Sequence, residues 1–129
     1  MIEESQNQAP FAVLIDFGNV TKYTDKKGLH LLEETSEDKG FKGNILFASK
    51  NQLEFKLTSR RDDIISLCYL MFYLVNDFVL PGYERERFKD ILLDQVKTME
   101  AMLELKTNYC LADMAKLIDP FIPWRPNLD

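Results

Sequence analysis

The most apolar stretch of the chain runs from Ile64 to Val75, inside the segment RRDDIISLCYLMFYLVN at residues 60–76. At about 100° per residue its apolar side chains fall on three faces: Ile64, Cys68, Met71 and Val75; Leu67, Leu70 and Leu74; and Ile65, Tyr69 and Phe72. A helix that is apolar all round needs cover all round, and this run is shorter than the roughly 20 residues that span a bilayer. The pattern predicts a central buried helix over residues 60–76 and no membrane span.

The start of this helix is marked by a capping pattern. Ser59 precedes the helix and Asp62 follows three residues later, which is the spacing of a capping box. Asp62 and Asp63 also place negative charge at the positive end of the helix dipole. Both features predict that the helix begins at Arg60.

The chain before the central helix alternates between apolar and polar stretches. Residues 1–10 are polar and predict a frayed leader, and the apolar run Phe11–Ile15 predicts a short buried strand. Val20–Gly40 is polar and predicts a mobile surface segment, which is functional or disordered in most proteins. Phe41–Asn51 regains apolar residues and is expected to pack against the central helix.

Two further helices are predicted after the break at Pro81–Gly82. Residues 84–106 carry apolar side chains mostly at three- and four-residue steps: Phe88, Ile91, Leu92, Val96, Met99, Met102 and Leu103. Residues 109–119 carry Leu111, Met114, Ala115 and Ile118 on one side, with Asn108 as the expected cap. Pro120, Pro123 and Pro126 exclude regular structure from the tail, so the predicted fold is mainly α.

Composition narrows the function classes. The 129 residues carry a formal net charge of −5 with no long basic cluster, which argues against nucleic-acid binding. The first ten residues lack the pattern of a signal peptide, so a cytoplasmic or nuclear protein is expected and a secreted one is not. Cys68 and Cys110 lie in apolar helical patterns and are expected to be buried, reduced thiols. The single histidine, His30, has no partner that would make a metal site.

Three motifs in order resemble one protein family. LIDFGNVTKY at residues 14–23 looks like the strand and Asp-Phe-Gly that open a protein-kinase activation segment. FKGNILFAS at residues 41–49 resembles the stretch that closes this segment in the casein kinase I family, and SRRDD at residues 59–63 is similar to that family's signature at the start of the central helix. The spacing from Asp16 to Asp63 also agrees with the family. The resemblance covers residues 12–75 and implies an incomplete kinase C-terminal lobe over residues 11–129. In that lobe a short strand and an activation segment at residues 16–51 pack on the central helix, with the two later helices beside it.

The resemblance assigns roles residue by residue. Asp16 matches the carboxylate that holds Mg²⁺ against the phosphates of ATP, and Phe17 and Gly18 complete that motif. Asp63 matches a buried carboxylate that braces the catalytic loop. The remaining matches are Phe41, Gly43, Asn44 and Ser49 in the activation segment and Ser59, Arg60, Arg61 and Asp62 at the helix start.

Two positions of the predicted activation segment depart from the family pattern, and a whole set of parts is missing. Asn44 stands where the family has Thr, and Leu46 stands where it has a basic residue that helps to bind anionic substrate. The sequence contains no Gly-rich loop, no strand Lys with its partner Glu and no H-R-D catalytic loop, which are the parts that perform phosphoryl transfer. No catalytic residue is therefore assigned. The chain by itself is expected to bind neither ATP nor Mg²⁺ and to phosphorylate nothing, although the family phosphorylates protein Ser and Thr.

A reading of the chain as an unrelated helical domain with a chance Asp-Phe-Gly is disfavoured by the three motifs in order. The missing parts leave two other readings of the chain open. It is either a portion of a casein kinase I-like Ser/Thr kinase or a non-catalytic, pseudokinase-like interaction module derived from one. In both readings one face of the central helix lacks its usual cover and should be exposed, and Asp63 should lack the backbone donors of a buried carboxylate. The expected partners are protein substrates, a missing kinase half, or a second copy that binds through the exposed apolar surface.

Overall fold

The computed structural model describes residues 2–3, 11–30, 41, 43–89 and 93–118. The described part of the chain is mainly helical, as predicted from the sequence. The chain forms two compact units, Met1–His30 and Leu31–Asp129. The predicted activation segment at residues 16–51 is therefore divided between the two units.

A short antiparallel strand pair is the only sheet in the described part of the first unit. Strand β1 (Ile2–Glu3) pairs with strand β2 (Phe11–Ala12), with Ile2 opposite Ala12. The predicted buried strand over Phe11–Ile15 is wrong in both length and burial, since it ends at Ala12 and Leu14 is 82% exposed. Two residues of the predicted frayed leader are paired, and the others lie outside the described residues. A two-stranded pair has no further layer to cover an apolar run, so the pattern alone overestimated its burial.

A tight turn around Asp25 follows in the same unit. The Asp25 carboxylate accepts hydrogen bonds from the backbone N–H groups of Lys27 (2.8 Å) and Leu29 (2.9 Å), and Thr24 bridges to His30. Gly28 lies inside the turn with φ +80°, a conformation that favours glycine. Residues 20–30 are exposed apart from the half-buried Thr24, which agrees with the predicted surface segment, and residues 31–40 lie outside the described residues.

Five helices make up the described part of the second unit: α1 (Lys50–Leu53), α2 (Arg60–Val75), α3 (Arg85–Lys89), α4 (Gln95–Asn108) and α5 (Leu111–Leu117). The predicted central helix is confirmed as α2, which begins after the Ser59 cap and ends before Asn76. Asp77 and Phe78 then adopt positive φ and turn the chain away. No helix in the described ranges has the length and apolar character needed to cross a bilayer.

The single helix predicted over residues 84–106 is wrong, because the chain forms two helices there. Helix α3 ends at Lys89, and α4 begins after Asp94, whose side chain caps the new helix by accepting from Lys97 N at 3.1 Å. Asp is more favourable as the N-cap of a helix than in a helix interior, so Asp94 begins a new helix. The last helix also starts later than predicted, since Asn108 is the final residue of α4 and Cys110 is the cap of α5.

The centre of the core is α4, and this corrects the prediction that α2 would be the hub. Helix α4 contributes four buried apolar residues and packs on α1, whereas α2 contributes one, Tyr69. The buried apolar cluster comprises Ala48, Leu53, Tyr69, Leu80, Phe88, Met99, Ala101, Met102, Leu105 and Met114. Tyr83 stacks on Phe88 with ring centroids 4.3 Å apart and closes this core beside α3.

Helix α2 is covered on one face only. Its third apolar face points inward, with Tyr69 buried and Ile65 and Phe72 half-buried. Most of the other two faces is exposed: Ile64 60%, Leu67 50%, Met71 56%, Leu74 42% and Val75 42%. The prediction of burial on all sides is therefore wrong, and the exposed apolar surface covers most of two faces where one exposed face was predicted.

The two cysteines differ in exposure. Both thiols are free, as predicted, but Cys110 is exposed and only Cys68 is half-buried. Cys110 is exposed because it caps α5 and does not lie inside a helix. The proline-rich tail falls outside the described residues.

Candidate functional site

Asp16 occupies a strained turn in the first unit. It has left-handed backbone angles (φ 61°, ψ 78°), and its Oδ1 accepts from Gly18 N at 3.3 Å at the start of a turn of 3-10 helix, Phe17–Asn19. Aspartate tolerates this conformation better than most residues because its short carboxylate bonds locally. Asp16 is exposed, and Phe17 is 63% exposed. The turn presents the carboxylate to solvent.

The predicted Mg²⁺ role of Asp16 requires further oxygen ligands. No group of three or more His, Cys, Asp or Glu side chains that could hold a metal ion occurs among the described residues. One exposed carboxylate is a poor Mg²⁺ site by itself, so the described residues do not make up a complete metal site. The metal and nucleotide roles of Asp16, Phe17 and Gly18 stay predictions.

The stretch that closes the predicted activation segment forms a tight turn at residues 43–49. Asn44 organises it twice, because its Oδ1 accepts from Leu46 N at 2.8 Å and its backbone oxygen accepts from Ala48 N at 3.0 Å. Gly43 has φ +119°, which only glycine adopts readily. The Asn44 amide is thus used within its own turn. The prediction that this stretch packs on the central helix is confirmed by the edge-to-face contact of Phe47 with Tyr73 of α2, at 5.3 Å between centroids.

A buried carboxylate, Asp62, anchors the end of this turn to α2. Ser49 Oγ donates to Asp62 Oδ1 at 2.7 Å, and Asn51 Nδ2 donates to the same oxygen at 3.3 Å. The Ser59 backbone N–H donates to Asp62 Oδ2 at 2.8 Å, which is the predicted capping interaction, and Ser59 Oγ lies 3.3 Å from that oxygen. Four donors satisfy both oxygens, as a buried carboxylate requires. Asp62 therefore fastens the turn, α1 and α2 together.

The same contacts determine the ionisation of Asp62. Burial raises the pKa of this carboxyl, but the hydrogen bonds from Ser49 and Ser59 and the charge of Arg61 together outweigh burial, so the pKa lies below its ordinary value. Asp62 is only 2% exposed and is ionised at neutral pH.

A second buried charge, Lys106 of α4, holds the middle of the turn. Its Nζ donates to the backbone oxygens of Ile45 (3.3 Å), Leu46 (2.8 Å) and Ala48 (2.5 Å). It also lies 4.5 Å from the ring centroid of Tyr69, in cation–π geometry. Lys106 is 2% exposed, and within the described chain no carboxylate pairs with it. Carbonyl dipoles and one aromatic face are the groups that balance its charge.

Burial also changes the pKa values of Lys106 and Tyr69. It lowers the pKa of the Lys106 ammonium to about 7 and raises the pKa of the Tyr69 phenol to about 12, where Cys68 and Cys110 add to the increase. The three carbonyl oxygens favour the charged form of Lys106 and oppose the effect of burial.

Both buried charges border an open groove of about 660 Å³. It lies between α1, the first turns of α2, the end of α4 and the start of α5. The residues that line it are Ser49, Lys50, Asn51, Glu54, Lys56, Asp62, Ile65, Tyr69, Lys106, Thr107, Cys110, Leu111 and Ala112. The polar atoms of Asp62 and Lys106 already form hydrogen bonds with other residues of the chain. They therefore stabilise the wall of the groove and are not available to bind a ligand.

The structure separates the two acidic residues at the start of α2. Asp62, predicted as a cap, is the buried carboxylate, whereas Asp63, which the resemblance implied to be buried, is exposed. This corrects the implied burial of Asp63. Arg60 and Arg61 are exposed beside it.

The other predicted site residues are divided between the two units. Ser49, Ser59 and Asp62 meet in one cluster, and the half-buried Phe41 packs on the core. Asp16, Phe17 and Gly18 belong to the other unit.

Sequence reasoning missed Lys106, although a signal for it exists. Lys106 lies seven residues after Met99 and four after Met102, which is the spacing of the buried stripe of α4. A lysine in an apolar stripe is a candidate for a buried cation.

Comparison of the chain with protein-family models, curated proteins and solved structures found no match. The resemblance to the casein kinase I family therefore depends on the three motifs and their spacing.

Proposed function

We propose that the chain is a C-terminal-lobe portion of a casein kinase I-like Ser/Thr kinase, beginning near the Asp-Phe-Gly motif. One contact supports this most strongly, the buried hydrogen bond from Ser49 to Asp62. Ser49 ends the FKGNILFAS motif and Asp62 lies in SRRDD, so two motifs recognised separately in the sequence meet in the fold. Chance similarities have no reason to meet in this way.

The two buried charges suggest what this portion contributes. In the family, residues 41–49 correspond to the stretch that closes the activation segment. Here Asp62 fastens the end of that stretch and Lys106 holds its middle carbonyls. A stretch held at both points keeps one conformation without phosphorylation or a bound partner. The proposal includes ATP and Mg²⁺ as cofactors and protein Ser or Thr as substrate only for the complete kinase.

The chain alone is proposed to be inactive. Phosphoryl transfer depends on positioning and charge neutralisation by a nucleotide pocket, a catalytic base and metal ligands, and Asp16 alone supplies one carboxylate. Its expected partner is therefore the kinase part that carries the missing groups, in the cytoplasm or the nucleus.

A second function is favoured by a separate observation, the exposed apolar face of α2. In this alternative the chain is a non-catalytic interaction module that kept a kinase-derived scaffold and binds through that face. Such a module would retain the Ser49–Asp62 contact and would have no use for the Asp16 carboxylate.

Split-kinase reconstitution tests the proposal. The purified chain is mixed with the N-terminal part of a casein kinase I-family enzyme that ends before Asp-Phe-Gly, and phosphate transfer from ATP to casein is measured. The chain alone should give no transfer, and the mixture should give transfer that Asp16→Asn abolishes. Asp25→Asn, which changes another exposed Asp of the same unit, is the matched control and should leave transfer unchanged.

Two results would overturn parts of this proposal. Transfer by the chain alone that is lost in Asp16→Asn would refute its inactivity. A stable complex with the N-terminal part that gives no Asp16-dependent transfer would refute the kinase assignment and favour the interaction module.

A further inference from the structure

The exposed face of α2 has a regular apolar pattern. Ile64, Leu67, Met71 and Leu74 follow one another at steps of three, four and three residues and are between 42% and 60% exposed. Leu70 (36%) and Val75 (42%) flank this row. The charged side chains on this side of the helix are confined to its first turn, so the six residues form one apolar strip, called here the α2 strip.

The spacing of the α2 strip is that of a helix that pairs with another helix. Ile64 and Met71 take the a positions of a heptad, and Leu67 and Leu74 take the d positions. Ile64 at the first a position and leucine at both d positions favour two-stranded packing, while Met71 occupies the second a position. The strip covers only two heptads, so the flanking Leu70 and Val75 have to add contact area for the pairing to be stable.

The size of the strip is compatible with a weak dimer. Its six residues, between 36% and 60% exposed, present roughly 500 Å² of surface, within the range of the largest patches on ordinary monomers. Two copies joined through it would bury at most about 1,000 Å², the size of a weak or transient interface. An uncharged strip is also self-complementary, as a two-fold interface requires.

We propose that the α2 strip is a homodimer interface, in which the α2 helices of two copies pack against each other about a two-fold axis. Its occupant is a second copy of this chain. The inference goes beyond the kinase proposal and does not depend on it, because it uses only the exposure and spacing of the α2 residues. A dimer formed in this way leaves Asp62, Lys106 and the groove unaffected, since they lie on the opposite face of α2 or beyond it.

Sedimentation equilibrium of the purified chain from about 1 to about 100 µM tests the inference, because weak specific dimers have dissociation constants in this range. The wild-type chain should sediment as a concentration-dependent dimer. Leu67→Glu places a charge from each copy at the centre of the interface and should weaken dimerisation at least about 100-fold. Val96→Glu is the matched control, because Val96 is 65% exposed on α4, and it should leave the dimer intact.

A second measurement separates pairing through the strip from general stickiness. Met71→Cys, made in a chain in which Cys68 and Cys110 are replaced by Ser, places one thiol per copy on the strip and should form a disulfide-linked dimer on mild oxidation. The corresponding Val96→Cys chain should not cross-link efficiently.

Three results would overturn the inference. These are a wild-type monomer over the whole concentration range, a dimer that survives Leu67→Glu with unchanged circular dichroism, and equal cross-linking through residues 71 and 96. If Leu67→Glu fails to fold, the cross-linking comparison decides the question by itself.

Discussion

Replacing Lys106 by methionine changes two opposing free-energy contributions. Methionine has a similar length and no donor, so the carbonyls of Ile45, Leu46 and Ala48 lose the ammonium that serves all three. Each buried carbonyl left without a donor costs about 1–3 kcal/mol. In the opposite direction, the variant no longer buries an ammonium, whose desolvation costs several kcal/mol. We expect a net loss of about 1 kcal/mol in the free energy of unfolding near pH 6, where Lys106 is charged.

The loss of unfolding free energy in Lys106→Met is expected to change with pH. The pKa of Lys106 is about 7 in the folded chain against an ordinary 10.5, so between these values the unfolded chain holds a proton that the folded chain has released. Wild-type stability must then rise with pH, by about 2–3 kcal/mol between about pH 6 and about pH 9. The cost of burying the charge is fully present below pH 7 and is relieved above it. Methionine cannot titrate, so the deficit of Lys106→Met should widen to about 3–4 kcal/mol near pH 9.

Urea unfolding followed by far-UV circular dichroism at several pH values measures this difference. Lys97→Met on the same helix is the matched control, because Lys97 is 65% exposed and pairs loosely with Asp94 at 3.8 Å. Its effect should stay within about 0.5 kcal/mol at every pH. A deficit of Lys106→Met that is constant from pH 6 to pH 9 would refute the reasoning, as would a Lys97→Met deficit that widens in the same way.

Three further predictions concern the second unit. Asp62→Asn should lower the free energy of unfolding by about 2–3 kcal/mol at neutral pH. It should also reduce the further loss of stability below about pH 4, because Asp62, whose pKa is lowered, stabilises the fold only while its carboxyl is ionised. Asp63→Asn should change the free energy of unfolding by less than about 0.5 kcal/mol. Equal effects of the two in urea unfolding would contradict the buried cluster. Phe88→Ala should lower the free energy of unfolding by about 3–5 kcal/mol. Phe78→Ala truncates a side chain that is 55% exposed and should lower it by about 1 kcal/mol. Similar urea midpoints for the two variants would argue against a core at Phe88. The folded chain should show one fast-reacting thiol with a disulfide reagent, and Cys110→Ser should remove it; persistence of the fast reaction would place the reactive thiol elsewhere.

The parts of the fold that the sequence predicted well are those determined by neighbouring residues. The bounds of α2 follow from the Ser59 cap, the Asp62 capping contact and a continuous apolar run, all readable within a few positions. The division of the predicted helix at residues 84–106 was missed because Asp94 sits in an apolar rhythm that continues across it. A periodic pattern shows which residues share a face but does not show whether one capping side chain interrupts the helix.

The parts predicted poorly depend on which surfaces find partners. An apolar helix is expected to be buried, yet α2 buries the face that holds Tyr69 and exposes the face that holds Leu67. Nothing in the sequence of α2 distinguishes these faces, because their hydrophobicity is similar. The position of Lys106 in the apolar stripe of α4 indicates burial but not its partners, since its acceptors are backbone oxygens about 60 residues away and leave no side-chain signature.

The two exposed features of α2 have a common explanation in the kinase proposal. Asp63 and the α2 strip would both face the catalytic loop and the helix before it, which are absent from this sequence. Asp62, in contrast, finds its donors among residues 49–59 and needs nothing from that region. In the kinase proposal, the pattern of burial along α2 would follow the origin of each partner: this chain supplies the partners of Asp62, and the complete kinase would supply those of the exposed face. A second copy that packs on the strip would cover the same apolar side chains that the catalytic loop and the helix before it would cover in a complete kinase. Dimerisation through the strip and completion of a kinase lobe would therefore compete for one surface.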